Sequence, residues 1–148
     1  MATRSNIRVI GKDTKVWVYR HWDGYPAGNG ADLCKALRRR DYTGKPRPVE
    51  LDGFLNTILG LRSPQQSYET EPRRVYEITT GEHGDIEWLY TFKFTLKQVR
   101  IEVREFKLRE DKWIEHGSFS EKEFRSFVAR DLLAMRKRIK DLKRRQAA

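Results

Sequence analysis

Residues Val16 to Gly30 read VWVYRHWDGYPAGNG, and this stretch changes from a strand pattern to a helix start within a few positions. The side chains from Val16 to Trp22 alternate between two faces, as is typical of a β-strand. Asp23-Gly24 is a turn pair and is followed by a proline, so the strand is predicted to end there. Gly28-Asn29-Gly30 then leads into a helix predicted to begin near Ala31. The stretch therefore predicts a strand, a glycine-rich loop and a helix start in direct succession.

This strand-to-helix corner is a candidate site for an anion. A helix start presents unpaired backbone N–H groups and the positive end of the helix dipole. Arginine suits bidentate contact with phosphate, and tyrosine or tryptophan can stack on a nucleotide base. The predicted ligand-binding residues are Arg4, Arg20, His21, Asp23, Tyr25 and Asn29. The alternative interpretation is that the aromatic and proline residues only pack a sharp corner.

Arg4 belongs to this set because of the strand that precedes the quoted stretch. Residues 7–10 are predicted to form a short strand, and Gly11-Lys12-Asp13-Thr14 is a turn sequence. If this strand pairs with Val16–Trp22 as an antiparallel hairpin, its start lies beside the end of the second strand. The hairpin is therefore expected to bring Arg4 next to His21 and Asp23.

The same N-terminal region carries a family resemblance. The residues Thr3-Arg4-Ser5-Asn6-Ile7 and Tyr19-Arg20-His21-Trp22-Asp23-Gly24-Tyr25-Pro26 resemble a family of small phage and bacterial proteins. Those proteins open with Thr-Arg-Ser-x-Ile and continue with Tyr-x-His-x-Asp-Gly-Tyr. The match covers roughly residues 3–37, with a weaker echo at Asp85-Ile86-Glu87-Trp88-Leu89-Tyr90. The resemblance implies a phage or prophage context and a small α+β domain.

The rest of the chain predicts the remaining elements of an α+β fold. Helices are expected at 31–40 and 49–61, and the strand with the clearest alternation places six large apolar side chains on one face: Ile86, Trp88, Tyr90, Phe92, Phe94 and Leu96. A strand at 74–80 precedes it, and further strands follow, with a bulge near Glu105 and a short edge strand around Trp113. The predicted fold is an antiparallel sheet of about five strands, formed by the N-terminal hairpin and a β-meander, with two short helices and one long C-terminal helix.

The long C-terminal helix is predicted to begin at a capping box formed by Ser120 and Glu123. Its apolar stripe continues through Ile139 and Leu142, although seven of the ten residues from Arg136 to Arg145 are Lys or Arg. This basic end is expected to pack on the sheet, on a second copy in a homodimer, or on a partner. The candidate residues for nucleic-acid or partner binding are Arg38, Arg39, Arg40, Arg136, Lys137, Lys140 and Arg144. The arginine triplet at 38–40 can also simply complement the dipole of the first helix.

Composition limits the classes of protein that fit. The 148 residues suit one domain at 1–148, with 136–148 as a basic helical extension, and the net charge is +10. Residues 1–62 hold 12 Lys and Arg against 6 Asp and Glu, and residues 120–148 hold 10 against 4, so the basic charge lies at both ends. No apolar run is long enough for a membrane span, so no membrane partner is expected. A single cysteine, Cys34, excludes a disulfide framework and fits the cytoplasm, that of the host cell if a phage encodes the chain. No metal site and no cofactor are expected.

These observations favour a binding protein over an enzyme. The first hypothesis is recognition of a phosphate-bearing small ligand, such as a nucleotide, with a possible counter-defence role. The alternatives are a protein-binding inhibitor of a host defence complex and a nucleic-acid-binding protein that uses the basic C-terminal helix. His21 and Asp23 have the residue types of a catalytic base and its partner, but the sequence offers no nucleophile elbow and no metal-ligand spacing around them.

Overall fold

The fold combines one mixed β-sheet with three helices. The computed structural model describes residues 3–40, 43–47, 49–63 and 73–147, and for residues 39, 40, 46 and 47 it describes the backbone. The strands are β1 (Ser5–Ile10), β2 (Lys15–Arg20), β3 (Arg39–Arg40), β4 (Pro46–Arg47), β5 (Glu77–Thr79), β6 (Trp88–Phe94), β7 (Val99–Lys107) and β8 (Lys112–Phe119). The helices are α1 (Ala31–Ala36), α2 (Leu51–Gly60) and α3 (Glu121–Ala147), and a π-helical turn at Pro26–Gly30 leads directly into α1.

The main sheet has six strands in the order β5-β2-β1-β6-β7-β8, and β3 pairs with β4 in a separate small ribbon. β1 and β2 form the predicted antiparallel hairpin, with Ser5 opposite Arg20 and Ile10 opposite Lys15. β1 pairs with β6 in parallel, however, so the prediction of an antiparallel sheet of about five strands is only roughly right. The reason is that the chain first returns to the sheet as β5 beside β2 and then crosses to the other side of β1 to form β6. Strand order of this kind leaves no mark on local alternation.

The core lies on one face of this sheet. Ile7 and Val9 of β1 and Val18 of β2 are fully buried there, as are Tyr90 and Phe92 of β6. The helices contribute aromatic and aliphatic side chains to the same buried cluster, including Leu33 and Leu37 near α1, Phe54 and Ile58 of α2, and Phe124 of α3. The two short helices and the one long C-terminal helix of the prediction are therefore present.

The strand with the clearest alternation is β6, but it is shorter than predicted. Ile86 is buried yet precedes the strand, and Leu96 lies beyond its end and is fully exposed instead of facing the core. The chain turns at this point, because the backbone N–H of Thr95 donates to the carbonyl of Gln98 at 2.9 Å. Val99, Ile101 and Val103 of β7 then return to the core face.

A bulge is present close to the predicted position, but its extra residue lies on β8 and not on β7, the strand that contains Glu105. The pairing of β7 with β8 shifts between Val103 and Arg104, and the extra residue is His116 on β8. β8 is also longer than the short edge strand predicted around Trp113, since it pairs with β7 along its length. The bulge turns the imidazole of His116 onto Trp88, whose ring centroid lies 5.2 Å away.

α3 starts at the predicted capping box. The backbone N–H of Glu123 donates to Ser120 Oγ at 3.2 Å, and the backbone N–H of Ser120 donates to Glu123 Oε1 at 2.9 Å. The hydrogen bond from the Ser120 backbone, followed in effect by the one with the Ser120 side chain, lowers the pKa of Glu123. α1 ends earlier than predicted, so the arginine triplet lies after the helix, and Arg39 and Arg40 form β3.

Candidate functional site

The loop that follows β2 is held against the start of β1. Asp23 has a φ of 53°, a left-handed conformation that aspartate tolerates, and it reverses the chain. The backbone N–H of Gly24 then donates to the carbonyl of Thr3 at 2.8 Å. A Cβ at Gly24 would lie 2.9 Å from both Ser5 Cβ and Thr3 O, so the close approach requires glycine. The loop and the residues around Arg4 are therefore neighbours, as the hairpin geometry predicts.

Two of the predicted ligand-binding residues lie inside the protein. Arg20 is 7% exposed and Asn29 is fully buried. The Arg20 guanidinium donates to Asp32 Oδ2 at 2.6 Å, to Tyr76 Oη at 3.0 Å and to the carbonyl of Trp22 at 2.6 Å. Tyr76 Oη donates to Asn29 Oδ1, and Asn29 Nδ2 donates to Ser5 Oγ at 2.9 Å. Arg20 and Asn29 thus tie the end of β2 to the π-helical turn and to β1.

The N-terminal end of the helical segment is already occupied by a carboxylate of the chain. Asp131 Oδ2, on α3, accepts the backbone N–H of Ala27 at 2.8 Å. The backbone N–H of Asn29 donates to the carbonyl of Asp23 at 2.8 Å, and the carbonyl of Gly24 accepts from Tyr90 Oη at 2.7 Å. The anion predicted at this corner is therefore supplied from within the chain.

Asp23 and Tyr25 form a separate pair on the surface of the loop. Tyr25 Oη donates to Asp23 Oδ1 at 3.0 Å. Partial burial, with the Asp23 contact as a second cause, raises the pKa of Tyr25. The Asp23 carboxylate thus bonds Tyr25, while its backbone carbonyl accepts the amide of Asn29.

The exposed polar groups of this region gather instead on the sheet face opposite the core. We call this set the Arg4 cluster, and it comprises Arg4, Tyr19, His21, His83 and Asp85. Arg4 forms an ion pair with Asp85, with an N–O distance of 3.1 Å, and the two side chains are 35% and 53% exposed. Tyr19 Oη is hydrogen-bonded to His21 Nδ1 at 3.1 Å. The Tyr19 ring also stacks on His83, with 4.0 Å between ring centroids.

The loop that carries His83 and Asp85 is anchored to β1. The backbone N–H of His83 donates to Asn6 Oδ1 at 2.8 Å, and Asn6 Nδ2 donates to the carbonyl of Val18 at 3.0 Å. His83 Nδ1 lies 3.8 Å from Asp85 Oδ1. Partial burial, reinforced by the nearby Asp85 carboxylate, raises the pKa of Tyr19, so its hydroxyl stays protonated at neutral pH.

The structure therefore divides the predicted ligand residues into three groups. Arg4 and His21 meet in the Arg4 cluster, Asp23 and Tyr25 pair with each other, and Arg20 and Asn29 are buried. Sequence reasoning missed Tyr19, His83 and Asp131 as parts of this region, and it noted Asp85 only in the weaker echo of the family pattern. Tyr19 shares strand parity with His21, and this was the signal available in the sequence.

The candidate residues for nucleic-acid or partner binding lie elsewhere. Arg136, Lys137, Lys140 and Arg144 are exposed along α3, and Arg38 is exposed after α1. The side chains of Arg39 and Arg40 lie outside the described part of the structure. α3 packs against the core face of the sheet. Its basic residues therefore lie away from the opposite face, which holds the Arg4 cluster.

No protein-family model matches the sequence, and the same holds for the curated proteins and the solved structures compared with it. The resemblance of residues 3–37 to phage and bacterial proteins stays a prediction. In the described ranges no group of three or more His, Cys, Asp or Glu side chains is placed to hold a metal ion. Nor does any helix among those residues have the length and apolar character needed to cross a membrane. The class that fold and site define is an α+β protein with an exposed arginine–histidine cluster and a long basic helix.

Proposed function

We propose that this protein binds a phosphate-bearing small ligand, such as a nucleotide, at the Arg4 cluster. The observation that carries the proposal is the exposed Arg4–Asp85 ion pair flanked by two histidines that both contact Tyr19. A guanidinium can contact phosphate oxygens in a bidentate manner, and each imidazole can donate a hydrogen bond or carry a charge. The cluster thus brings three groups suited to an anion onto one surface.

In this proposal the Asp85 carboxylate pairs with Arg4 at the position that the ligand's phosphate takes on binding. Both partners of the Arg4–Asp85 pair are more than one-third exposed, at 35% and 53%. Ion pairs with such exposure contribute about 0–1 kcal/mol, because water screens them and two side chains must be ordered. A phosphate with more charge and more acceptor oxygens can therefore displace Asp85 at low cost.

An aromatic surface for the rest of the ligand lies beside the cluster. Trp22 is 60% exposed, and its ring meets His21 edge to face, with 4.6 Å between ring centroids. An exposed indole offers a face on which a nucleotide base can stack, with roughly 1–3 kcal/mol of stabilisation per base. In this proposal Arg20 and Asn29 position the loop and do not contact the ligand. The phage resemblance adds a counter-defence role, in which the protein withdraws a host signal nucleotide.

The test combines ligand identification with three single variants. Native mass spectrometry of the purified protein, and thermal shifts with mono-, di- and triphosphate and cyclic nucleotides, identify a ligand. Arg4→Ala is expected to weaken its binding about tenfold or more, since a charge-assisted hydrogen bond is lost. Asp85→Asn should strengthen binding, because it removes the competing carboxylate. The control is Arg8→Ala, on β1, the strand that begins directly after Arg4, where the guanidinium lies over Trp17 at 5.7 Å and not in the cluster.

Two results would overturn this proposal. One is the absence of stabilisation by any phosphorylated compound in the panel. The other is a ligand whose affinity stays the same in Arg4→Ala and in Asp85→Asn. A host protein that co-purifies in place of a nucleotide would favour the inhibitor hypothesis.

A further inference from the structure

The second half of α3 extends beyond the folded body. The last buried side chain of the helix is Val128, although the helix continues to Ala147. No described residue from 132 to 147 is buried, and all side chains from 136 to 140 are exposed. At 1.5 Å per residue the helix extends roughly 28 Å past Val128. This excludes the sheet of the same chain as the surface that covers the basic end.

An apolar stripe runs along this extension. Leu132, Met135, Ile139 and Leu142 follow one another at intervals of three and four residues, which places them on a single narrow seam. Leu132 and Met135 are half-buried, whereas Ile139 and Leu142 are 46% and 56% exposed. The seam continues the line of Phe124 and Val128, which pack in the core. From 136 to 142 the apolar residues are Ile139 and Leu142, and two apolar positions per seven residues are the pattern of a coiled-coil seam and are fewer than a core-facing helix carries.

Both sides of this seam are lined by cations. With Leu132 and Ile139 at the a positions and Met135 and Leu142 at d, the flanking e positions hold Arg136 and Lys143. The flanking g positions hold Arg138 and Arg145. In a coiled coil, e and g residues face the flanks of the partner helix and decide which partner is accepted. A second copy would oppose like charges in either orientation, so charge disfavours the homodimer.

We propose that the 132–145 segment of α3 binds an amphipathic helix of another protein whose flanking positions are Asp or Glu. Apolar side chains of that helix cover the Ile139–Leu142 seam, and its carboxylates pair with Arg136, Arg138, Lys143 and Arg145. This interaction surface is separate from the Arg4 cluster and does not depend on the ligand proposed for it.

A membrane surface and a nucleic acid, the two other polyanionic partners, fit the helix less well. Helices that lie on a membrane surface have a broad apolar face that often includes aromatic residues, but α3 has a narrow seam and no aromatic residue beyond Phe127. Lys137 and Arg144, on the side opposite the seam, would point away from the lipid. Nucleic-acid phosphates would contact the cations but would leave the apolar seam in water.

The experiment measures binding of fluorescent probes to the full-length protein by anisotropy at near-physiological salt. The main probe is a synthetic heptad-repeat peptide with Ile and Leu at a and d and Glu at every e and g. Its control has Lys at the same e and g positions. A random-sequence DNA duplex and vesicles of phosphatidylcholine and phosphatidylglycerol represent the other partners, and analytical ultracentrifugation without any probe reports self-association.

Two double variants of equal charge separate seam recognition from general attraction to polyanions. Arg138→Glu with Lys143→Glu reverses the flanks, whereas Lys137→Glu with Arg144→Glu reverses two charges on the opposite side. The flank variant is expected to bind the Glu peptide about tenfold more weakly, because attraction becomes repulsion at both positions. The opposite-side variant should stay within about twofold. Ile139→Ser with Leu142→Ser should abolish peptide binding.

Any one of four other outcomes would overturn the proposal. Equal losses in the two charge variants would indicate general polyanion binding. DNA or vesicle binding that survives the Ile139→Ser and Leu142→Ser changes, and exceeds peptide binding, would assign the helix to that partner. A dimer in the absence of probe that those serine changes dissociate would assign the seam to a second copy. Equal binding of the Glu and Lys peptides would show that the cations beside the seam do not select the partner.

Discussion

Asp131 on α3 accepts the backbone N–H of Ala27, with 2.8 Å between the carboxylate oxygen and the nitrogen. Ala27 belongs to the π-helical turn that precedes α1, so the long C-terminal helix supplies a negative charge to the start of the helical segment. The same two elements also pack directly, since Val128 lies against Gly30. The C-terminal helix is thus fixed to the corner that the sequence marks as the centre of the fold.

Removing the Asp131 carboxylate should destabilise the protein. We expect Asp131→Ala to lower the free energy of unfolding by about 1–2 kcal/mol, because the Ala27 amide loses a charge-assisted hydrogen bond. For a chain of this size that corresponds to a fall in melting temperature of about 2–4 °C per kcal/mol. Asp141→Ala is the control, since it removes a carboxylate from the extending part of the same helix. Equal effects of the two substitutions would contradict the role given to Asp131.

The contact between Gly30 and Val128 predicts an unusual response to a favourable helix residue. Gly30 has helical backbone angles, so alanine there would normally stabilise the helix by about 1 kcal/mol. An alanine Cβ at this position would lie 2.6 Å from Val128 Cγ2, however, and Gly30→Ala should instead cost about 1–3 kcal/mol. Adding Val128→Ala should recover part of that loss, as measured by urea unfolding of a double-mutant cycle. Strictly additive effects would show that the two residues do not touch.

Buried tyrosine and cysteine side chains, which lose a proton at high pH, predict a loss of stability at alkaline pH. Burial raises the pKa of Tyr76 and of Tyr90 and raises the pKa of Cys34 to about 11. The unfolded chain releases these protons first, so it binds fewer protons than the native state between the ordinary and the raised pKa values. The free energy of unfolding should keep its full value below the ordinary pKa values of these groups, up to about pH 9, and should fall as the pH rises above them.

Urea unfolding across the alkaline range tests this account. Tyr76→Phe is less stable at neutral pH, because Asn29 Oδ1 loses its buried donor, but its stability should fall less steeply above pH 10. Tyr25→Phe, at a more exposed tyrosine, should change the slope less. A Tyr76→Phe protein whose alkaline slope equals that of the unsubstituted protein would rule out Tyr76 as a source of the fall.

Two apolar positions of the strand predicted from Ile86 to Leu96 should respond very differently to alanine. Phe92 is fully buried, and its ring centroid lies 4.7 Å from that of Phe54 and 5.8 Å from that of Phe124. Phe92→Ala should therefore cost about 3–5 kcal/mol. Leu96 is exposed in the turn after the strand, so Leu96→Ala should change stability by less than about 0.5 kcal/mol. Thermal unfolding of both proteins measures the difference, and similar losses would place Leu96 in the core.

Local features of the sequence were predicted well because their causes are local. The turn between β1 and β2, the alternation of β6 and the capping box at Ser120 each depend on residues within a few positions of one another. The parallel neighbour of β1 is different, since it is decided by how distant segments pack. Leu96 shows why alternation alone can mislead, because the apolar–polar pattern of the sequence continues beyond the turn that ends the strand.

The candidate site was predicted only in part for a similar reason. Arg20 shares strand parity with Val16 and Val18, so its position on the core face was available from the sequence. Its partners Asp32 and Tyr76 were not, because the three residues meet only after the helices have packed. Asp131 likewise reaches Ala27 from the last helix, and nothing near Ala27 in the sequence indicates that the amide is occupied.

The parallel pairing of β1 with β6 also governs the order in which the protein can assemble during synthesis. The β1–β2 hairpin is translated well before the strand that completes its inner edge, which begins only at Trp88. Until then β1 presents an unpaired row of backbone groups on that edge. Contacts between such distant segments slow folding, because a long loop must close before they form. The nascent chain therefore exposes the inner edge of β1 until β6 has been translated, which makes it a natural substrate for chaperones.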